Sequence, residues 1–521
     1  MAACRDNYHL GHMVLEKLKE RPDEICQIDA GTGESETNAS VLSRAVRLAR
    51  CLRRLGAAPG DLLALHGNNH LDLLVPFYAA LFNGMTLAGA DPKYDYEEMK
   101  YFLMLTKPKV LFSDSELFHE AVAKLGLDTK IITFKDGEQS MKNFMDEYAN
   151  ENDIEAEFRV AEHDVEKVPI WLISTSGTTG VPKLTTQSHK LWMKEIQKRQ
   201  TVLAKMIKLD HNLPALTLSP VQWISAYISA VIMPLSHFSI VRSSAPPSVA
   251  HVIDIINEYK PVHGIFLPNT ITAILNHEKE CDLTCFYYIG IAGMKMNREN
   301  LDALKKRMRK NAIAADLYGV TEALGEVLET TNDTPFGSVG KPAQHQLKIV
   351  DQETGLEITE PYKRGELLIK GPMCDGYYND PEQTAEAFTE DGWYITGDLF
   401  YKDENDFYYF VERIGQLIRN RNYFVAPWDL MEVIRQHPGV LDVCVTGVPS
   451  LTDGEAAVAC VVRRPGYDVT AQEIKDFVAS KVEPFQQLRG GVIFMEALPR
   501  TSTGKLALAK IRQIALVAHR E

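Results

Sequence analysis

No uninterrupted apolar run in the 521-residue chain reaches the roughly 18 residues that a membrane span needs. Its start, "MAACRDNYHLGHMVLEKLKERPDE", lacks the uninterrupted apolar stretch of a secretory signal, and its end, "LVAHRE", is not the Ser-Lys-Leu peroxisomal address. A cytoplasmic location is therefore expected. Excess positive charge is missing as well. The formal net charge of -14 argues against a broad nucleic-acid-binding surface. The eight cysteines, at 4, 26, 51, 281, 285, 374, 444 and 460, are scattered as in a reducing compartment rather than spaced as a disulfide framework. Cys281 and Cys285 lack a second Cys/His pair at zinc-finger spacing, so no metal site is expected there. There is no internal repeat, no low-complexity segment and no G-x-x-x-x-G-K-[ST] phosphate loop. The length still implies two or more domains and a sizeable buried core.

The first two thirds alternate short apolar runs with helical stretches. "LLALHG", "KVLFSD", "KIITF", "VPIWLIS", "HGIFLP" and "YYIGIAG" read as buried strands, and "LDLLVPFYAALFNG" as a helix between two of them. Continuous runs of this kind, separated by helices, indicate parallel sheets covered on both faces. From about 335 the texture becomes period-two, in "LKIVDQETG", "GELLIKG" and "DFYYFVERIG", which suggests a smaller β-rich part. The last hundred residues read as a compact α+β unit.

"VPIWLIS" runs into "TSGTTGVPK", a buried strand followed by a hydroxyl- and glycine-rich segment. Gly177 and Gly180 let a backbone approach an anion closely, and Thr175, Ser176, Thr178 and Thr179 add donors. Lys183 adds a full charge, so the inventory suits a polyphosphate. Four further segments extend it. "YGVTE" offers the ring of Tyr318, the tight Gly319, the Thr321 hydroxyl and the Glu322 carboxylate, which can help hold a hard cation. "GWYITGD" ends in Asp398, a fitting acceptor for paired ribose hydroxyls. Arg413 and Gly415 follow in "VERIGQ", where the glycine is either a hinge or a simple turn. "LPRTSTGK" closes on Lys505.

This ordered set resembles the AMP-forming acyl-CoA synthetase, peptide-synthetase adenylation-domain and firefly luciferase superfamily, over nearly the whole chain and most densely from about 335 to 515. "ERIGQLIRNRNYFVAP" and "LRGGVIFMEALPRTSTGKLALAKIRQI" look closest to the luciferase and coumarate–CoA ligase branch. The resemblance implies an α/β fold: an N-terminal domain over 1–412 with two parallel sheets and a β-barrel-like part at 335–412. A hinge at 413–418 and a mobile α+β lid at 419–521 would follow. It implies ATP and Mg²⁺, coenzyme A as cosubstrate, a small carboxylic acid as substrate, and a monomer. Residues 175–183 would grip the phosphates, with Glu322 at the metal and Tyr318 stacked on adenine near Gly293. Asp398 and Arg413 would hold the ribose. Lys505 would bridge carboxylate and α-phosphate, with Thr321 and Arg419 as further catalytic candidates.

The departures from that pattern concern the acid and the acceptor. Arg419 replaces a lysine, Asn422 a glycine and Phe424 a glutamine in the segment that would line the coenzyme A channel. Asn422 either crowds a pantetheine arm or keeps its path through left-handed backbone angles. By position Trp223, Tyr227, Gly325 and Glu326 should line the acyl pocket. A carboxylate at 326 is costly there unless it points away or meets a polar or cationic substrate group. His189, six residues after Lys183, is expected to be structural. Alternatives to an acid–CoA ligase are an adenylating oxygenase, an adenylating enzyme with another acceptor, and a nucleotide-binding homologue without the second step.

Overall fold

The helix Leu74–Asn83 is buried along its whole length, apolar on every face, and stops where Gly84 adopts a left-handed φ of 65°. It follows the strand Leu62–His66, whose five residues are all buried, and precedes the equally buried Thr86–Ala90. The two strands pair in parallel. This βαβ step sets the architecture of the first compact unit, which comprises 1–292, 300–327 and 371–386. A computed structural model describes residues 7–150, 153–175, 183–206, 212–246, 248–421, 423–500 and 505–521.

Two sheets build that unit. The six-stranded one runs in the order Lys130–Ile132, Val110–Phe112, Leu62–His66, Thr86–Ala90, Pro169–Thr175, Lys183–Ser188. Every neighbouring pair is parallel except the last. The seven-stranded one runs Ile313–Leu317, Tyr288–Ala292, His263–Phe266, Leu213–Leu216, Phe238–Arg242, Ile25–Asp29, Ser35–Thr37, again with one antiparallel edge pair. The continuous apolar runs in the sequence are thus strands buried on both faces, as expected. A large core joins the helices Leu10–Glu20, Asn38–Arg54 and Ile224–Leu235 around Trp171 and Trp192, whose rings meet edge-on at 4.8 Å.

The second unit comprises 293–299, 328–370 and 387–521. Its period-two segments form an antiparallel sheet in the order Gln346–Val350, Gly365–Lys370, Tyr394–Lys402, Tyr408–Arg413. The C-terminal stretch forms a mixed sheet from Tyr423–Val425, Ile418–Asn420, Gly454–Arg463 and Val440–Ser450, with Gly491–Phe494 pairing in parallel with Gly454–Arg463. The helix Ala471–Ala479 packs there, started by a capping box between Thr470 and Glu473. None of the described helices is long and apolar enough to cross a membrane. The described cysteines are all unpaired thiols.

Candidate active site

In the first unit, Pro169–Thr175 and Lys183–Ser188 pair antiparallel with Thr175 opposite Lys183. Thr175 and Lys183, the described residues on either side of the hydroxyl-rich segment, therefore lie opposite one another on neighbouring strands. Ser176, Gly177, Thr178, Thr179 and Gly180 lie outside the described residues, as does Asn422. The Lys183 ammonium contacts Gln383 Oε1 and sits 4.9 Å over the Tyr377 ring. The Tyr377 hydroxyl donates to Glu322 Oε1 at 2.7 Å. One tyrosine thus positions both the cation and the carboxylate assigned to the phosphates and the metal. The sequence reading did not single it out. The "GYYN" turn at 376–379, a glycine followed by two aromatic rings and an asparagine, is the signal that could have found it.

Glu322 is buried at the tip of a tight hairpin. Gly319–Val320 turns through a single 3₁₀ turn, Thr321–Ala323, and a left-handed Leu324 at φ 61°, returning as Gly325–Glu326. A Cβ on Gly319 would lie 2.3 Å from the Gly325 carbonyl oxygen, so only glycine fits. Two contacts fix the tip: Gln187 Nε2 donates to the Thr321 carbonyl at 3.2 Å, and the Cys374 N–H to the Glu322 carbonyl at 2.7 Å. Tyr318 is buried at the hairpin's base, its carbonyl accepting the Val327 N–H at 3.1 Å. Replacing Gly319 by alanine should cost about 1–3 kcal/mol of stability, because backbone must move to relieve the overlap. Denaturant unfolding measures this, and an unchanged midpoint would show that the hairpin yields freely.

The residues assigned to the acyl pocket divide. Trp223 sits in extended conformation just before the helix Ile224–Leu235. Tyr227, one turn on, is fully buried against Phe77 and Trp171 at 5.6 and 5.2 Å and belongs to the core. Gly325, at φ 103°, faces Arg199 Nη2, Ile228 and Ile224, which lie 3.6, 3.8 and 3.9 Å from where its Cβ would be. Arg199 donates to Glu195 Oε1 at 2.7 Å and to the Leu324 carbonyl at 3.2 Å. The buried Tyr288 phenol is raised first by burial, then by the Glu326 carboxylate, with Arg199 opposing. The Glu326 carboxylate and the Arg199 guanidinium thus both act on the Tyr288 ring, with opposite sign. Arg199 is a second residue absent from the sequence reading, hidden in a charged helical stretch that reads as a solvated face.

In the second unit, Asp398 is fully buried and its Oδ1 lies 2.8 Å from Arg413 Nε. The two are direct partners across antiparallel strands, and Arg413 Nη1 also donates to the Thr396 carbonyl at 3.1 Å. Lys505 immediately precedes Leu506, which bridges antiparallel to Arg500 and leads into the C-terminal helix Leu508–Val517. Burial, and then the Arg413 guanidinium, hold its ammonium below the ordinary lysine range. Gly415 lies in the 3₁₀ turn Ile414–Gln416, where a Cβ would meet open space. Gly293 has a φ of 89°. Arg419 and Phe424 are register partners in an exposed hairpin, with the guanidinium carbon 5.7 Å from the ring centroid. Arg421 takes a φ of 54° at its turn and pairs with Asp453.

Glu412 adjoins Arg413 and accepts the N–H groups of Arg413 at 3.0 Å and Trp428 at 3.2 Å. Its carboxyl rises to about 6, chiefly by burial and further by Asp429 and Asp398, against those two donors. A carboxyl raised in the folded state binds its proton more tightly folded than unfolded. Stability from this group is therefore lost as pH climbs from the unfolded value to the folded one. Replacing Glu412 with glutamine removes that slope. The variant's stability relative to the parent should rise by about 2 kcal/mol from pH ~4 to ~7. A difference that stays flat with pH would contradict it.

A family model described as AMP-binding enzyme matches residues 14–378, and one described as AMP-binding enzyme C-terminal domain matches 432–505. The chain is 29% identical to a luciferin 4-monooxygenase of Photinus pyralis over 97% of its own length and 94% of that protein's. It is 28% identical to 4-coumarate–CoA ligase 2 of Oryza sativa subsp. japonica, covering 95% of this chain and 90% of the relative. The crystal structure of ATP-bound MatB from Rhodopseudomonas palustris has the same fold, with a TM-score of 0.85 at 22% identity, covering 97% of this chain and 98% of that one.

Proposed function

The chain belongs to the AMP-binding enzyme family, the adenylate-forming superfamily of acyl-CoA synthetases and luciferases, and from that premise we propose that it joins a carboxylic acid to ATP and passes the acyl group to coenzyme A. The observation that carries the first step is the buried Asp398 with Arg413 Nε 2.8 Å from its carboxylate, the same guanidinium that disfavours the Lys505 ammonium. An acid's carboxylate is already ionised near neutrality, so attack on the α-phosphorus needs no base. The new C–O–P linkage forms as the α–β bond breaks and pyrophosphate leaves. Catalysis then consists of placing the reactants and neutralising phosphate charge. Lys183 takes phosphate oxygens, Asp398 accepts the ribose hydroxyls, Arg413 steadies them, and Tyr318 stacks on adenine. Lys505 bridges the acid's oxygen and the α-phosphate. Glu322, a buried carboxylate ordered by Tyr377, has the hard oxygen donors that suit Mg²⁺. When bound, that ion neutralises phosphate charge.

In the second step the thiol of coenzyme A attacks the acyl carbon and AMP departs. End-to-end likeness to a coumarate–CoA ligase supports this acceptor, as does the exposed Arg419–Phe424 pair, which presents a cation and a ring together. We take 413–418 as the hinge between the two steps. The side chains facing Gly325, Ile224, Ile228 and Arg199, fit an acid with an apolar body and a polar substituent. AMP release measured with and without coenzyme A, over fatty, aryl and amino-substituted acids, tests the assignment. Release that depends on both acid and coenzyme A, with a thioester found by mass spectrometry, is expected. Acid-dependent pyrophosphate exchange without coenzyme A turnover would move the search to another acceptor. The likeness to a luciferin monooxygenase favours one alternative, oxygen attack on the adenylate, which photon counting with luciferin in the dark would reveal.

A further inference from the structure

Three imidazoles from distant parts of the sequence meet inside the first unit. His9 caps the helix Leu10–Glu20, His163 lies in the segment leading to Pro169–Thr175, and His189 opens the helix His189–Met206. His9 and His189 are 0% exposed and His163 is 8% exposed. Their ring centroids lie 4.2 Å (His9–His163), 4.6 Å (His163–His189) and 5.1 Å (His9–His189) apart. One nitrogen from each ring lies within 4.8 Å of the other two.

The polar atoms of this cluster are what set it apart from a packing contact. Neither nitrogen of His189 meets a hydrogen-bond partner among the described residues, and His163 shares the backbone of Ala161 with His9. A neutral imidazole carries one N–H and one lone pair, so at His189 a donor and an acceptor are both buried without protein partners among the described residues. Buried polar groups in that state are costly, and phenylalanine or leucine would fill the same space without the penalty. His9 is held from behind: its Nε2 lies 2.9 Å from the Ala161 carbonyl oxygen, and its Nδ1 accepts the Gly11 N–H at 3.1 Å. A backbone carbonyl on the second ring nitrogen is the contact that orients metal-ligating histidines. Gly84 completes the fit, since a Cβ there would lie 2.5 Å from His163 Nδ1.

We propose that His9, His163 and His189 form a metal site for a borderline divalent cation of the zinc class. Three neutral nitrogen donors suit zinc, cobalt or nickel and disfavour the oxygen-seeking Mg²⁺ or Ca²⁺, so this site is separate from the one at Glu322. Binding draws the three nitrogens to about 3.4 Å from one another, the spacing that Zn–N bonds of about 2.1 Å give in a tetrahedron. Side-chain rotation supplies that movement, and His9 exchanges one of its two present hydrogen bonds for the metal. Water takes the fourth position. The ion ties the N-terminal helix to the start of His189–Met206, directly after the strand that carries Lys183. Its role is a cross-link, outside the chemistry on ATP.

Metal analysis and cobalt absorption test this on the full chain without nucleotide. Protein dialysed against zinc and then buffer should retain about one equivalent, and Co²⁺ should give the visible bands of a tetrahedral site. The variants His163→Phe and His9→Gln should each weaken retention by more than the roughly 10–100-fold that loss of a supporting contact costs, and lose the bands. Zinc should raise the melting temperature of the parent and leave that of His163→Phe unchanged. A parent that retains neither zinc nor cobalt overturns the site whatever the variants do. Equal retention by parent and both variants overturns it as well.

Discussion

Replacing Lys505 with alanine lowers acid-dependent ATP–pyrophosphate exchange by roughly 10²–10³-fold, about 3–4 kcal/mol of transition-state stabilisation, and leaves the melting temperature unchanged or slightly higher. Two opposed effects meet at this residue. In the reaction, an ammonium placed on the forming C–O–P linkage neutralises charge that appears only as the bond is made. In the folded protein alone the same ammonium is disfavoured, by burial first and by Arg413 second. Its pKa in the folded state is below the unfolded value, so holding the charge near neutrality costs folding free energy. Alanine removes that cost along with the catalytic contact. A variant that exchanges pyrophosphate as fast as the parent would end the assignment. A variant that loses activity and stability together would make Lys505 structural.

Asp398→Ala should lower kcat/KM for ATP by about 10²-fold, the loss expected when a charged acceptor of paired hydroxyls is removed. The stability change separates this pair from an ordinary ion pair. Asp398 is 1% exposed at its side chain, whereas Arg413 is 40% exposed. Removing the aspartate leaves an arginine that can turn to water and still holds the Thr396 carbonyl. Removing the arginine leaves a carboxylate buried near Glu366 and Glu412, both of which its charge already pushes upward. Arg413→Ala should therefore cost about 3–5 kcal/mol, and Asp398→Ala about 1–3. Unfolding of the two variants gives the order directly. Equal losses would mean that the pair is as solvated at Asp398 as at Arg413.

Much of the fold was legible because its strands are buried on both faces. "LLALHG", "VPIWLIS" and "YYIGIAG" have no polar face to disguise them; Leu62–His66 and Tyr288–Ala292 fall within them, and Pro169–Thr175 runs one residue past "VPIWLIS". The candidate motif residues stand out in the sequence for another reason: Lys183, Glu322, Asp398 and Lys505 are charges with a glycine a few residues away. What stayed hidden depends on return paths of the chain. Residues 371–386 come back to the first unit after a strand of the second, and only that return brings Tyr377 to Lys183 and Glu322. Tyr227 was placed in the acyl pocket by position, and its helix turns the ring towards Trp171 in the core. The three histidines at 9, 163 and 189 have no common spacing, so only packing could join them.

The most direct test is ATP–pyrophosphate exchange with Mg²⁺ across a panel of carboxylic acids, run on the parent and on Lys505→Ala with coenzyme A omitted. Exchange that requires an acid and collapses in the variant is the expected result. Acid-stimulated release of ADP and phosphate in place of exchange, or exchange that Lys505→Ala leaves intact, would contradict adenylation by these residues.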